Sequence, residues 1–333
     1  MEMVWPASEL LAVLLMAMNN SITVSESMAL SIIRVMAMML IIACHVCQCY
    51  GYKMAFVFNV GVQLFFVISG FLYGKLELPQ SPFEFYKKRL VKVYLPYILW
   101  VLLIVVVYSV FGLYRVTVKQ IVFYVFNLQG FATPIEGLNH LWFLTVLMFC
   151  YLTTPWVKKI MLKHESWFVV LFVVCCIVEF LLLKKLYSLI AWIALYYVGL
   201  VFGFHYSKRL SNIILVACSV ALIILGMKFN IDMLTSEEST EYSIWLHWIM
   251  GLFLFSAIYR CLSSVSISNH KIGVVSHFDK LSYDVYLIHH PLIMGPLSLM
   301  FITKYCCLNV IIMLVSVYLL ALVFHLIHTK IVL

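Results

Sequence analysis

The feature that most constrains this chain is its string of apolar runs, each close to the length that crosses a bilayer. Ten can be marked, at about 28–50, 54–74, 93–112, 138–157, 166–183, 186–204, 211–227, 243–262, 283–303 and 306–327. A hydrocarbon layer takes roughly 20 residues of helix, and within it every backbone N–H and C=O must be paired inside the segment. The expected fold is therefore all-α, a polytopic membrane protein of about ten transmembrane helices. Composition excludes the alternatives. Charged residues make up 11% of the chain and hydrophobic ones 65%, whereas a soluble domain carries about 25% charged residues. Charge this sparse rules out an ordinary cytosolic enzyme, a nucleic-acid-binding domain and a disordered chain. The 333 residues leave no room for a sizeable soluble domain.

Two segments fall outside the pattern. Residues 120–131 (QIVFYVFNLQGF) are too short to span and read as re-entrant or interfacial. Residues 1–27 form an N-terminal extension, read as an interfacial helix, an extra span or a plain extension. No Lys or Arg precedes the apolar stretch Leu10 to Met18, so it makes a poor signal peptide. Residues 28–330 then form one membrane domain, without repeats or linkers. Fourteen of the 22 Lys and Arg residues fall in one set of alternate loops and seven in the other. By the positive-inside rule the richer set is cytoplasmic, and so are both termini. The net charge of +8 is therefore read as topogenic, in contact with lipid headgroups rather than nucleic acid.

Arg34 is the only Lys or Arg in the interior of an expected span, Arg260 falling at the end of the eighth, and an intramembrane charge is a functional candidate by default. His45 follows eleven residues later on the same run. Eleven steps of about 100° close to within about 20° of three full turns, so both side chains share a face. Their Cα atoms are about 16 Å apart at 1.5 Å per residue. One elongated ligand could touch both: an anionic group at Arg34, and a proton-transfer step at His45. The other reading is a snorkelling Arg and a packed His. Cys44, Cys47 and Cys49 around His45 lack a second ligand pair at zinc spacing, and no metal or bound cofactor is expected. Gly61, Ser69 and Gly70 are read as helix-packing positions. The loop FEFYKKRLVKVYLP carries Lys87, Lys88, Arg89 and Lys92, a basic patch for headgroups or for the phosphates of a nucleotide-bearing donor. His140 and Trp142 open the fourth run and are candidates to line a cavity. In the ninth, Ser282, Tyr286 and His289 fall on one helical stripe. His289 and His290 are adjacent histidines in an apolar helix, and one of them is expected to face a wet interior.

Taken in order, Arg34 with His45, GVQLFFVISGF at 61–71, FYKKRLVKVYLPY at 85–97, HLWFL at 140–144 and LSYDVYLIHHPLI at 281–293 resemble the membrane-bound acyltransferase family 3. That family includes bacterial O-acetyltransferases of O-antigen, capsule and exopolysaccharide. The resemblance implies a multi-pass protein of the bacterial inner membrane. It implies acetyl-CoA as donor substrate on the cytoplasmic side and a glycan hydroxyl as acceptor, on a surface polysaccharide or its lipid-linked precursor. It carries over Arg34 and His45 as the functional pair of the first span. It gives the donor to Lys87, Lys88, Arg89 and Lys92, leaving open which of them holds it. The acceptor falls to His140, Trp142, Tyr286 and His289. The competing readings are a transporter or flippase for a lipid-linked sugar or small solute, and an accessory membrane subunit. A transporter favours inverted repeats and paired broken helices; the sequence has neither, although Pro291 and Pro296 interrupt the ninth run.

Overall fold

The computed structural model describes residues 23–79, 81–163, 187–228, 241–265 and 269–332. Among these residues there are helices and turns but no strand. The helices are α1 (Val24–Cys49), α2 (Val60–Lys75), α3 (Pro82–Arg89), α4 (Leu95–Val110), α5 (Val118–Val125), α6 (Trp142–Lys163), α7 (Tyr187–Phe204), α8 (Lys208–Lys228), α9 (Glu241–Leu262), α10 (Asn269–Met294) and α11 (Cys306–Val332). Five of the described helical segments are long and apolar enough to cross a membrane: Val24–Cys49, Ala55–Lys75, Pro82–Val110, Asn139–Leu162 and Cys306–Ile331. Ala191–Phe204 and Leu246–Leu262 are shorter apolar helices. The expected count of about ten is thus met only in part. The fifth run, 166–183, lies outside the described residues, as do residues 1–22 and most of the acidic loop 228–242. α8 and α11 present rows of exposed apolar side chains, among them Val216, Val220, Leu319 and Val323. Rows of this kind suit lipid rather than water.

Several boundaries differ from the apolar runs, each for a local reason. The second run is broken at Asn59, after a short helix Ala55–Phe58. The third starts earlier, because Pro82 fits the first turn of α3 and a five-residue π-helix, Leu90–Tyr94, joins α3 to α4. The ninth is displaced most. α10 begins at the polar Asn269 and ends at Met294, before Gly295 and Pro296, so 295–303 is turn rather than span. The segment expected to be re-entrant folds as α5 and a 3-10 turn, too short to span. It is pinned by Tyr97 Oη donating to the Tyr124 carbonyl (2.6 Å) and by Gln129 Nε2 donating to the Leu141 carbonyl (2.7 Å).

Close helix contacts set the frame. Gly70 and Gly74 of α2 lie against the carbonyls of Tyr196 and Leu200 on α7, and Gly199 and Gly203 lie against those of Val67 and Phe71. Any Cβ at these four positions would collide with backbone. Two small-xxx-small stripes facing one another let the helices approach without a hydrophobic driving force between them. Gly61 likewise meets Ala37 and Ile41 of α1, so the packing reading holds for Gly61 and Gly70. Thr23 and Glu26 form a capping box at the start of α1. Glu26 also takes the Lys75 ammonium at 2.6 Å and the Tyr259 hydroxyl at 3.0 Å, tying together the ends of α1, α2 and α9.

α1 and α10 run parallel. Arg34 meets Asp279, His45 meets His289, and Cys49 meets Ile293, so the offset between partners stays at 244 or 245. This register places the functional residues of the two helices level by level.

Candidate active site

At the upper level four imidazoles converge. His45 of α1 lies with its ring centroid 5.4 Å from that of His289 and 4.6 Å from that of His290, both on α10. His140, from the 3-10 turn that leads into α6, stacks on His290 at 4.7 Å and an interplanar angle of 13°. Its centroid is 5.0 Å from that of His289. Tyr286 donates its hydroxyl to the His140 carbonyl at 2.8 Å, fixing the turn on α10. His45, His140, Trp142 and Tyr286 line a cavity of about 60 Å³, walled also by Asn59, Phe65 and Phe143. A single water needs only about 10–15 Å³ on this measure, so the space admits a group the size of an acetyl.

Hydrogen bonds fix which ring atoms are available. His45 Nδ1 lies 2.8 Å from Gln48 Oε1. An amide oxygen accepts, so Nδ1 carries the proton and Nε2 the lone pair. His289 Nδ1 donates to the Tyr286 carbonyl at 2.8 Å, and its buried Nε2 has no partner among the described residues. His290 Nδ1 donates to the Gly137 carbonyl at 2.9 Å. Neither ring nitrogen of His140, a residue 5% exposed, has a partner among the described residues. Unpaired buried polar atoms cost about 1–3 kcal/mol each. A chain that leaves several at one cavity holds them ready for something that enters it. The arrangement can accept a proton at one ring and donate an N–H to an oxygen from another.

The lower level is built around Arg34. Its Nη2 pairs with Asp279 Oδ2 at 2.9 Å, and Ser31 donates to the same oxygen at 2.7 Å. The intramembrane charge is therefore neither lone nor purely snorkelling. Of the four basic residues expected to hold the donor, only Arg89 turns inward. Its guanidinium stacks over Tyr73 at 5.2 Å and over Tyr151 at 5.6 Å, whereas Lys87, Lys88 and Lys92 are exposed. Arg34 and Arg89 both lie within electrostatic range of the Tyr73 and Tyr151 hydroxyls. Arg34 Nε, Arg89 Nε and Tyr73 Oη are buried without partners among the described residues.

Of the residues singled out in the sequence, His45, His140, Trp142 and Tyr286 line one cavity, and His289 packs against the rings of His45 and His140. Arg34 lies about three turns below His45 on α1, and Arg89 stacks on Tyr73 and Tyr151, the two tyrosines whose hydroxyls Arg34 also reaches electrostatically. Ser282 leaves the stripe to donate to the Asp279 carbonyl. Sequence reasoning missed Gln48 and Asp279 and gave His290 no role. Gln48 carried a signal, since it lies three residues from His45 on one helix face. Cys44, Cys47 and Cys49 are free thiols. Among the described residues one group has ligand atoms close enough for a metal ion: Asp284, His325 and His328.

A family model described as an acyltransferase domain matches residues 29–329. No curated protein and no solved structure matched the chain.

Proposed function

The chain belongs to acyltransferase family 3 and is a multi-pass membrane acyltransferase; from that premise we propose that it is an O-acetyltransferase. It takes acetyl from cytoplasmic acetyl-CoA and delivers it to a hydroxyl of a surface polysaccharide or of its lipid-linked precursor. The observation that carries this reading is the pairing of levels on α1: Arg34 below, sharing Tyr73 and Tyr151 with Arg89, and His45 at the histidine-lined cavity above. Two guanidiniums suit the phosphates of coenzyme A, because each presents a planar fork of donors. A thioester on a long arm then lies along the helix and brings its acetyl to the cavity.

His45 Nε2 has the lone pair that acyl transfer needs. As general base it takes the proton of the acceptor hydroxyl while that oxygen attacks the thioester carbonyl carbon. The new C–O bond forms, the C–S bond breaks, and the imidazolium returns the proton to the thiolate. As nucleophile the same atom carries the acetyl between two such steps. Gln48 holds the ring in the tautomer both routes require. The free N–H of His140 faces the cavity, where it can donate to the carbonyl oxygen as negative charge develops. Trp142 offers the acceptor an aromatic face, and Tyr286 keeps the His140 turn in place.

The test is transfer of labelled acetyl from acetyl-CoA to glycan by membranes with and without the protein, with the product read by NMR. Label in an O-acetyl ester that depends on the protein supports the proposal. Unlabelled glycan and unchanged acetyl-CoA, with the protein stably inserted, would overturn it.

A further inference from the structure

On the far side of α10 from the histidine cavity, Asp284 meets His325 and His328 of α11. Its side chain is 2% exposed. Oδ2 lies 2.7 Å from His325 Nδ1 and Oδ1 lies 2.8 Å from His328 Nε2. Among the described residues no Lys or Arg pairs with this carboxylate, in contrast to Asp279, which has Arg34. A carboxylate buried in a membrane-spanning bundle needs a compensating positive charge. The two imidazoles supply hydrogen bonds, and a positive charge only when protonated.

The geometry points to a site for a divalent transition-metal ion, of which Zn²⁺ is the best fit. His325 and His328 are at i and i+3, so both rings project from one face of α11. Asp284 reaches them from the neighbouring helix, the pattern by which helical bundles build metal sites from facing helices. One ligand atom from each residue lies within 4.8 Å of the others. Two imidazoles and a carboxylate suit Zn²⁺, which binds such donors at about 2.0–2.2 Å and in open sites keeps three protein ligands and a water. Binding the ion replaces the two N–H to oxygen contacts. Each imidazole then carries its proton on the opposite ring nitrogen, Nε2 of His325 and Nδ1 of His328, the Asp284 carboxylate offsets one of the ion's two positive charges, and ionisation of the bound water to hydroxide offsets the second. The His325 side chain is 31% exposed, so the ligand set opens at the surface of α11. The site lies apart from the acyl-transfer cavity. Asp284 and His289 are five residues apart, about 140° around the helix, and the ion would fix α10 to α11 rather than join the chemistry.

The full chain, purified in detergent and stripped with chelator, is titrated with Co²⁺ and separately with Zn²⁺. The expected result is a single equivalent of tightly held ion, with the visible d–d bands of tetrahedral Co²⁺ bound by nitrogen and oxygen. Zn²⁺ should displace it and should raise the thermal midpoint. Asp284→Asn and His328→Ala should lose the ion. His277→Ala should keep it, because His277 contacts Tyr318 of α11 at 3.0 Å outside the ligand set. That control separates loss of a ligand from loss of a helix contact, and the wild-type titration stands even where a ligand variant fails to fold. Wild-type protein that takes up no Co²⁺ or Zn²⁺ would overturn the proposal and leave a hydrogen-bonded clamp. A near-ultraviolet sulfur-to-cobalt band would overturn it too, by assigning the ion to the free cysteines.

Discussion

Replacing Gly137 by Ala tests how the histidine cavity is held. Gly137 has a φ of 79°, and its carbonyl receives the His290 Nδ1–H that orients the ring stacked on His140. The left-handed conformation costs an L-residue roughly 1–2 kcal/mol. A Cβ there would also lie 3.0 Å from the Gly295 Cα and 2.7 Å from the Tyr108 hydroxyl. Tyr108 can shift only by weakening its 3.0 Å bond to the Glu136 carbonyl, and the Gly295 backbone cannot yield cheaply. Overpacking of this kind adds about 1–3 kcal/mol. Gly112 provides the control, with a φ of 63° and nothing within 4 Å of a built Cβ. Gly112→Ala should therefore lose only the backbone part, about 1–2 kcal/mol, and Gly137→Ala about twice that or more. Thermal unfolding in detergent, followed by size-exclusion fluorescence, ranks the two. Acetyl transfer should fall in Gly137→Ala and hold in Gly112→Ala. Equal destabilisation of the two variants, or full activity in Gly137→Ala, would refute the argument that Gly137 is required by crowding and positions His290.

Three further outcomes follow from the same geometry. Arg89→Lys should raise the KM for acetyl-CoA, because an ammonium lacks the planar fork, while Lys87→Ala and Lys88→Ala leave it unchanged; steady-state kinetics against donor concentration gives the comparison. Gln48→Leu should cost about 1 kcal/mol at His45, read as a roughly fivefold lower kcat with donor KM unaltered. Gly203→Val should prevent close packing of α2 on α7 and abolish monodisperse protein on size exclusion, whereas Gly273→Val, where a Cβ meets nothing within 4 Å, should be tolerated.

Much of the upper site was legible in the sequence because it depends on local spacing. The eleven-residue interval put Arg34 and His45 on one face, and the i, i+3 relation put Tyr286 and His289 together. Features set by long-range partners were not legible. Nothing near Arg34 in sequence announces Asp279, 245 residues away. Nothing in FYKKRLVKVY says that Arg89 turns inward while three lysines stay out; that depends on Tyr73 and Tyr151 from two other helices. Helix ends were misjudged wherever apolarity and helicity part company. α10 starts in the polar segment at Asn269, fourteen residues before the apolar run at 283, because a helix can extend past the lipid. It stops at Gly295 and Pro296 although the residues beyond are still apolar. Asp284 was passed over because its partners lie on the last helix, where His325 and His328 look like unremarkable interior histidines until α10 faces them.

The central claim is that His45 performs the proton or acyl transfer, and its most direct test is the His45→Ala variant. Membrane vesicles carrying equal amounts of inserted wild-type or variant protein are given labelled acetyl-CoA and glycan acceptor, and O-acetyl label is counted over time. Loss of a general base costs typically 10²–10⁴-fold, so the variant should transfer acetyl at least about 100-fold more slowly while still binding acetyl-CoA at Arg34 and Arg89. Transfer by His45→Ala at close to the wild-type rate would contradict the account and move the chemistry to His289 or His140.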